Sequence, residues 1–131
     1  MDEVKHHSGS RIKLHPLDEG AVPQDFAIRL KEYAHKEERI QAIYFFALEP
    51  EDQPEQPSMA VAIKSGLFAK ADEAFLQVVD EIQIMLPDDL SLNLYRFGAS
   101  DFLARYCLKN LEPVYLRSTA WLDKQSKKFL K

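Results

Sequence analysis

Apolar residues recur at helical spacing in two segments of the chain, residues 23–37 and 70–86. In each segment they follow the i, i+3, i+4 pattern that gives an amphipathic helix one buried stripe. Pro23 suits the first helical position, because its missing N–H would be unbonded there in any case. Pro87 ends the second helix. The predicted stripes are Phe26, Leu30, Tyr33 and Ala34 in the first helix, and Phe75, Val78, Val79, Ile82 and Leu86 in the second.

Two other segments alternate with a period of two, which indicates strands. IQAIYFFAL (40–48) is apolar on both faces, as is typical of a central strand covered on both sides. SMAVAIKS (58–65) carries Met59, Val61 and Ile63 on one face. The acidic, proline-rich stretch between them, 49–57, is predicted to be an irregular loop, so the two strands should form an antiparallel pair.

The remaining elements are shorter. RIKLHPL (11–17) could add a short strand, which Pro16 would either end or hold to an edge of the sheet. SLNLYRF (91–97) is predicted to be a further strand. Ser100 suits the N-cap of a short helix that ends near Asn110. LEPVYLR (111–117) is then a closing strand in which Val114 and Leu116 alternate with Tyr115 and Arg117, and STAWLDKQSKKFLK (118–131) is a terminal helix.

Interleaved strands and helices with one directly connected strand pair predict an α+β (mixed α/β) fold. We expect a single layered sheet of about four to five strands, partly antiparallel, packed with three to four helices. Residues 1–10 should be a flexible tail and residues 11–131 a single domain.

Composition fits an ordinary folded domain, with 46% apolar and 29% charged residues. The single cysteine, Cys107, allows no internal disulfide and favours the cytoplasm. Residues 1–10 lack the apolar core of a secretory signal, and no stretch approaches the roughly 18 uncharged apolar residues of a membrane span. We therefore expect no integral membrane association.

Charge is distributed unevenly along the chain. Residues 40–115 carry five Lys and Arg against twelve Asp and Glu, a net charge of −7, whereas residues 116–131 carry five against one, a net charge of +4. An acidic body disfavours nucleic acid as a partner, because phosphate binding requires clustered Lys and Arg.

Few residues carry recognisable chemistry. Cys107 could be a nucleophile, but within FLARYCLKN it is better interpreted as a small buried hydrophobe. Neither the four histidines nor the pair Asp88 and Asp89 match a metal-ligand spacing, and adjacent acids after a helix usually form a solvated turn. SGLFAK (65–70) could cradle a phosphate only weakly, with one glycine and Lys70. We predict no catalytic residue, metal or cofactor.

The terminal helix is basic and amphipathic. Trp121 and Phe129 lie on one side, and lysines 124, 127, 128 and 131 alternate with the apolar positions. Such a helix could lie on a membrane surface or on a partner. We favour packing of Trp121 and Phe129 on the domain's own sheet, with the lysines in water.

VPQDFAIRLKEYAHKEERIQAIYFFAL and the closing LEPVYLR together resemble the C-terminal domain of the SseB (enhanced serine sensitivity) family, over about residues 12–117. In that family a domain of similar size usually precedes this one. The resemblance implies a bacterial cytoplasmic domain. It offers no catalytic residues to transfer, since the family is named for a phenotype.

Two functional hypotheses follow from the sequence. The first is a non-catalytic protein-interaction module that binds another protein, or itself as a homodimer, through Tyr115, Arg117, Trp121 and Phe129, because exposed Tyr, Trp and Arg are favoured at interfaces. The alternative is a small-molecule sensor or small enzyme, whose pocket would be lined by Tyr44, Tyr95 and Arg96 together with Tyr115.

Overall fold

The fold is built around one long strand, Ile40–Pro50, which lies inside a mixed sheet. A computed structural model describes residues 3–5, 11–18, 20–64 and 71–130. Within these residues the sheet has six strands, and four helices pack on it, which confirms the predicted α+β class. The strands are β1 (Glu3–Lys5), β2 (Arg11–His15), β3 (Ile40–Pro50), β4 (Gln56–Ile63), β5 (Asn93–Arg96) and β6 (Tyr115–Leu116). The helices are α1 (Gln24–Lys36), α2 (Ala71–Met85), α3 (Asp101–Asn110) and α4 (Thr119–Phe129), with a 3-10 turn at Phe97–Ala99.

The strand order is β1-β2-β3-β4-β5, and β6 pairs separately with β3. All neighbours are antiparallel except β4 and β5, which are parallel because α2 crosses over between them. β4 takes one edge of β3 along nearly its whole length. The other edge is shared, since β2 pairs with residues 47–50 and β6 with residues 42–43.

The two faces of the sheet carry separate hydrophobic clusters. Ile43, Met59 and Val61 are fully buried on the face that α1 and α2 cover. Ala42, Tyr44 and Phe46 lie on the opposite face, under α3 and α4. The alternation predicted for residues 40–48 is therefore confirmed, because each face of β3 meets its own helical layer.

The β3–β4 hairpin is longer than the sequence predicts. The strands extend into the proline-rich stretch until Leu48 pairs with Gln56 and Ala47 with Pro57, so the predicted loop 49–57 shrinks to residues 51–55. The N–H of Gln53 donates to the carbonyl oxygen of Pro50 at 3.2 Å and closes a turn, in which Asp52 takes a left-handed φ of 62°. Asp tolerates this conformation. Pro50 and Pro57 lie near the ends of β3 and β4, where a missing N–H costs little.

Two boundaries differ from the prediction at the N-terminal side. Pro23 is the N-cap of α1, and the helix begins one residue later, at Gln24. Glu3–Lys5, within the predicted tail, forms β1 against residues 11–13. The register places Glu3 opposite Lys13. The SGLFAK segment (65–70), which was considered as a weak phosphate cradle, lies outside the described residues.

Candidate functional site

Arg117, predicted to contact a partner, is bound by its own domain. Its Nη2 donates to the carbonyl oxygens of Ala34 at 2.6 Å and Glu37 at 3.0 Å, and its Nε donates to that of Ile40 at 2.8 Å. The last carbonyls of a helix have no partner within the helix, and a cation suits the negative end of its dipole. Arg117 therefore caps the end of α1 and ties it to the start of β3.

Tyr115 is half-buried, and the Arg117 guanidinium carbon lies 5.6 Å from the centre of its ring. The N–H of Val114 donates to the carbonyl oxygen of Ile43 at 2.7 Å, yet Ile43 is also the pairing partner of Tyr115. Two residues of this segment thus oppose one residue of β3, as in a β-bulge. The predicted alternation is wrong at this point: Val114 and Tyr115 both pack on the α1–α2 face, and Leu116 on the other.

Trp121 and Phe129 pack against their own domain, as the favoured interpretation predicted. Their ring centres lie 5.3 Å and 6.2 Å from that of Phe97, which follows β5 directly. The Ser118 hydroxyl starts α4 by accepting the N–H of Ala120 at 3.1 Å. Both aromatic side chains remain half-buried, so α4 covers the sheet without being enclosed.

Tyr44 and Cys107 lie inside the cluster beneath α3, and both are fully buried. Burial raises the pKa of the Cys107 thiol to about 12, and it also raises the pKa of the Tyr44 hydroxyl. No described residue forms a hydrogen bond with that hydroxyl. Cys107 is thus a buried hydrophobe, as predicted, and its thiol stays protonated at neutral pH.

Neither of two cavities formed by the described residues is lined by Tyr44, Tyr95 and Arg96 together. Tyr95 packs on Phe46, with the ring centres 6.0 Å apart, while burial raises the pKa of its hydroxyl. Arg96 lies on the edge strand β5, where its Nη1 is 2.9 Å from a carboxylate oxygen of Asp72. Of these three residues, only Arg96 lines one of the two cavities.

That cavity is a groove of about 210 Å³ between α4 and the edge of the sheet, hereafter the α4 groove. Arg96, Lys128 and Gln125 supply its polar side chains. No carboxylate occurs among its lining residues, which are Ala62, Ile63, Arg96, Phe97, Gly98, Trp121, Gln125, Lys128 and Phe129.

A second cavity of about 310 Å³ lies between the segment after β2, the start of α1 and the segment before β6. Phe45, Leu17 and Val22 contribute apolar walls, and Asp18 and Glu112 contribute carboxylates. Its lining contains no cation, so its charge is opposite to that of the α4 groove.

The outer face of α2 was not singled out by the sequence analysis. Leu76 is 61% exposed and Ile84 is 78% exposed, although both are large and apolar. Residues 71–89 contain six Asp and Glu and no Lys or Arg. The available signal was that Leu76 and Ile84 fall outside the predicted buried stripe of their helix. We refer to this surface as the acidic α2 face.

Across the described ranges, no three His, Cys, Asp or Glu side chains lie close enough together to hold a metal ion. Asp88 and Asp89 occupy an exposed turn after α2. In the same part of the chain, none of the helices has the length and apolar character needed to cross a membrane.

Comparison with curated proteins and with solved structures gives no significant match. The family described as the SseB protein C-terminal domain matches residues 6–117, from before β2 to the capping residue Arg117. The match leaves out α4, which begins at Thr119. Its range covers most of the chain and includes both segments that carried the resemblance. The chain belongs to the SseB protein C-terminal domain family.

Proposed function

We propose that this domain is a non-catalytic protein-binding module of the bacterial cytoplasm, and that its partner docks on the acidic α2 face. The observation that carries the proposal is the exposure of Leu76 and Ile84 on a helix whose other residues described as exposed are acids and glutamines. Burying a large aliphatic side chain completely contributes about 1.5–3 kcal/mol. Covering the exposed parts of these two would contribute roughly 1–2 kcal/mol each.

The charge of this face indicates the chemistry of the partner. Asp72, Glu73, Asp80 and Glu81 are all exposed along α2. A complementary surface would carry Lys or Arg around apolar side chains, as on a basic amphipathic helix. The four residues Tyr115, Arg117, Trp121 and Phe129 then support the domain's own structure, and the docking surface lies on the other helical layer.

A second copy of this chain is the simplest alternative partner, because its α4 is itself basic. Lysines 124, 127 and 128 are exposed on that helix. The apolar side of α4, however, already packs on its own domain through Trp121 and Phe129. We therefore favour a different protein over a homodimer.

The proposal includes the absence of catalysis. It is supported by the burial and protonation of the Cys107 thiol. The Cys107 side chain is enclosed, and its raised pKa keeps it protonated and unreactive at neutral pH. A lone cysteine that remains a buried thiol also suits a reducing cytoplasm.

The test compares the double variant Leu76→Ser/Ile84→Ser with the wild type and with Leu130→Ser. Leu130 is a matched control, since it is also apolar and 37% exposed, but it follows α4 on the far side of the sheet. Tagged proteins are used to isolate partners from the source cell, and light scattering gives the mass of each purified protein.

We expect one partner that the wild type and Leu130→Ser both retain, that the double variant loses, and that high salt weakens. If the double variant alone changes from dimer to monomer, the partner is a second copy. The proposal is overturned if the double variant, folded by circular dichroism, keeps the same partners and the same mass as the wild type.

A further inference from the structure

We propose that the α4 groove is a binding site for a small organic anion with a flat apolar body. None of the residues that line the groove belongs to the acidic α2 face, although Arg96 on its rim pairs with Asp72 of that face. The groove includes residues of α4, which lies beyond the segment matched to the family. Its two parts are a cationic rim and an aromatic wall.

The cationic rim consists of Arg96 and Lys128, which approach the groove from different elements. Asp72 holds the Nη1 of Arg96 at 2.9 Å, and a guanidinium offers further N–H donors on Nε and Nη2. The Asp72 side chain is 78% exposed, so water screens much of this ion pair and an anion can compete for the arginine. Lys128 also lines the groove, and its Nζ lies 5.1 Å from the centre of the Phe129 ring.

The aromatic wall consists of Phe97, Trp121 and Phe129. Their rings meet at tilted angles, with Phe97 and Trp121 at 60° and Phe97 and Phe129 at 83°. Tilted rings present both faces and edges to a guest, which suits a flat ring placed against them. The Gln125 amide adds a donor and an acceptor one helical turn after Trp121.

Four of the residues that line the groove lie on the same side of α4. Trp121, Gln125, Lys128 and Phe129 follow the i, i+4, i+7, i+8 spacing and so form one stripe of the helix. That stripe faces Arg96 and Phe97 across the groove. A volume of about 210 Å³ accommodates one ring with its carboxylate, and a ligand of that size binds in the millimolar range at ordinary ligand efficiency.

The chain provides its own reporter, because Trp121 is its single tryptophan and lines the groove. The probes are benzoate, the neutral benzamide of nearly the same shape, and acetate, which lacks the ring. We expect benzoate to change Trp121 fluorescence saturably, and both analogues to bind at least about tenfold more weakly, because each lacks one of the two interactions. Saturation-transfer NMR on the same three probes supplies a readout that does not depend on fluorescence.

Variants separate the groove from general positive charge. Arg96→Gln and Lys128→Gln should each raise the benzoate Kd about tenfold, since each removes a charged hydrogen-bond donor. Lys127→Gln is the matched control: it removes the same charge from the neighbouring exposed position, which does not line the groove, and should leave the Kd within about twofold.

Three results overturn the proposal. The first is that neither fluorescence nor NMR detects saturable benzoate binding. The second is that benzamide binds as well as benzoate, which makes the groove a purely apolar cavity. The third is that Lys127→Gln weakens binding as much as Lys128→Gln, which reduces the effect to non-specific charge.

Discussion

Replacing Arg117 by alanine tests whether this residue serves the fold or a partner. The substitution removes three short hydrogen bonds, to the carbonyl oxygens of Ala34, Glu37 and Ile40. Bonds to a charged group contribute about 1.5–3 kcal/mol each in isolated cases, but bonds from one half-exposed guanidinium are not additive. We expect a loss of about 3 kcal/mol in the free energy of unfolding, and a fall in Tm of about 10 °C for a domain of this size.

The assay is urea unfolding followed by circular dichroism, with thermal unfolding as a second measurement. Arg117→Lys should recover only part of the loss, because an ammonium cannot reach carbonyls on both sides as a planar fork does. Arg29→Ala is the control: its Nη2 makes one exposed hydrogen bond, to the carbonyl oxygen of Met85 at 3.2 Å. That variant should lose no more than about 0.5 kcal/mol.

The reasoning is refuted if Arg117→Ala unfolds within about 0.5 kcal/mol of the wild type, or if Arg117→Lys matches the wild type. The first result would mean that water replaces the guanidinium at the end of α1 without cost. Arg117 would then be available to a partner, as the sequence analysis first supposed.

Two further predictions concern the buried polar groups beneath α3. Tyr44→Phe should leave the free energy of unfolding unchanged or raise it by about 1 kcal/mol, because the hydroxyl is buried without a partner among the described residues. If urea unfolding instead shows that this free energy falls by more than about 1 kcal/mol, the hydroxyl forms a hydrogen bond. Since folding raises the pKa of Cys107 from 9.0 to about 12, the unfolded state loses its proton first and stability falls as pH rises above 9. Between pH 8 and 10 the wild type should lose about 1.4 kcal/mol more than Cys107→Ala, and equal losses would contradict a buried thiol.

Local sequence patterns were sufficient to predict the layers of the fold. Alternation in residues 40–48 assigned Ile43 and Tyr44 to opposite faces, and helical spacing found α1 and α2 to within a residue or two. These signals are reliable because each depends on neighbours a few positions away. The Ser100 N-cap is of the same kind, since its hydroxyl accepts the N–H of Leu103 at 3.1 Å.

The tertiary role of the closing segment could not be predicted in the same way. Arg117 finds its carbonyl partners 77–83 positions earlier in the chain, and nothing in LEPVYLR indicates them. The bulge at Val114 arises from the register against Ile43, which a strand pattern assumes to be regular. Regular alternation therefore assigned Val114 to the wrong face.

The candidate sites were predicted unevenly for a related reason. The packing of Trp121 and Phe129 on the sheet followed from the amphipathic pattern of α4. The α4 groove depends on where the edge strand brings Arg96, which no spacing within α4 reveals. The helical pattern of α2 predicted its buried stripe, and Leu76 and Ile84 lie outside that stripe. Their exposure could therefore have been predicted from the sequence.

The shared edge of β3 affects how the chain folds while it is being synthesised. β2 and β4 can pair with β3 soon after it is made. β6 comes about 70 residues later, which at about 5–20 residues per second is a delay of roughly 4–14 s. During that interval the first residues of β3 present an unpaired strand edge next to apolar side chains. An unpaired edge of this kind can pair with a wrong strand, so slowing translation between β4 and β6 should increase aggregation of the nascent protein.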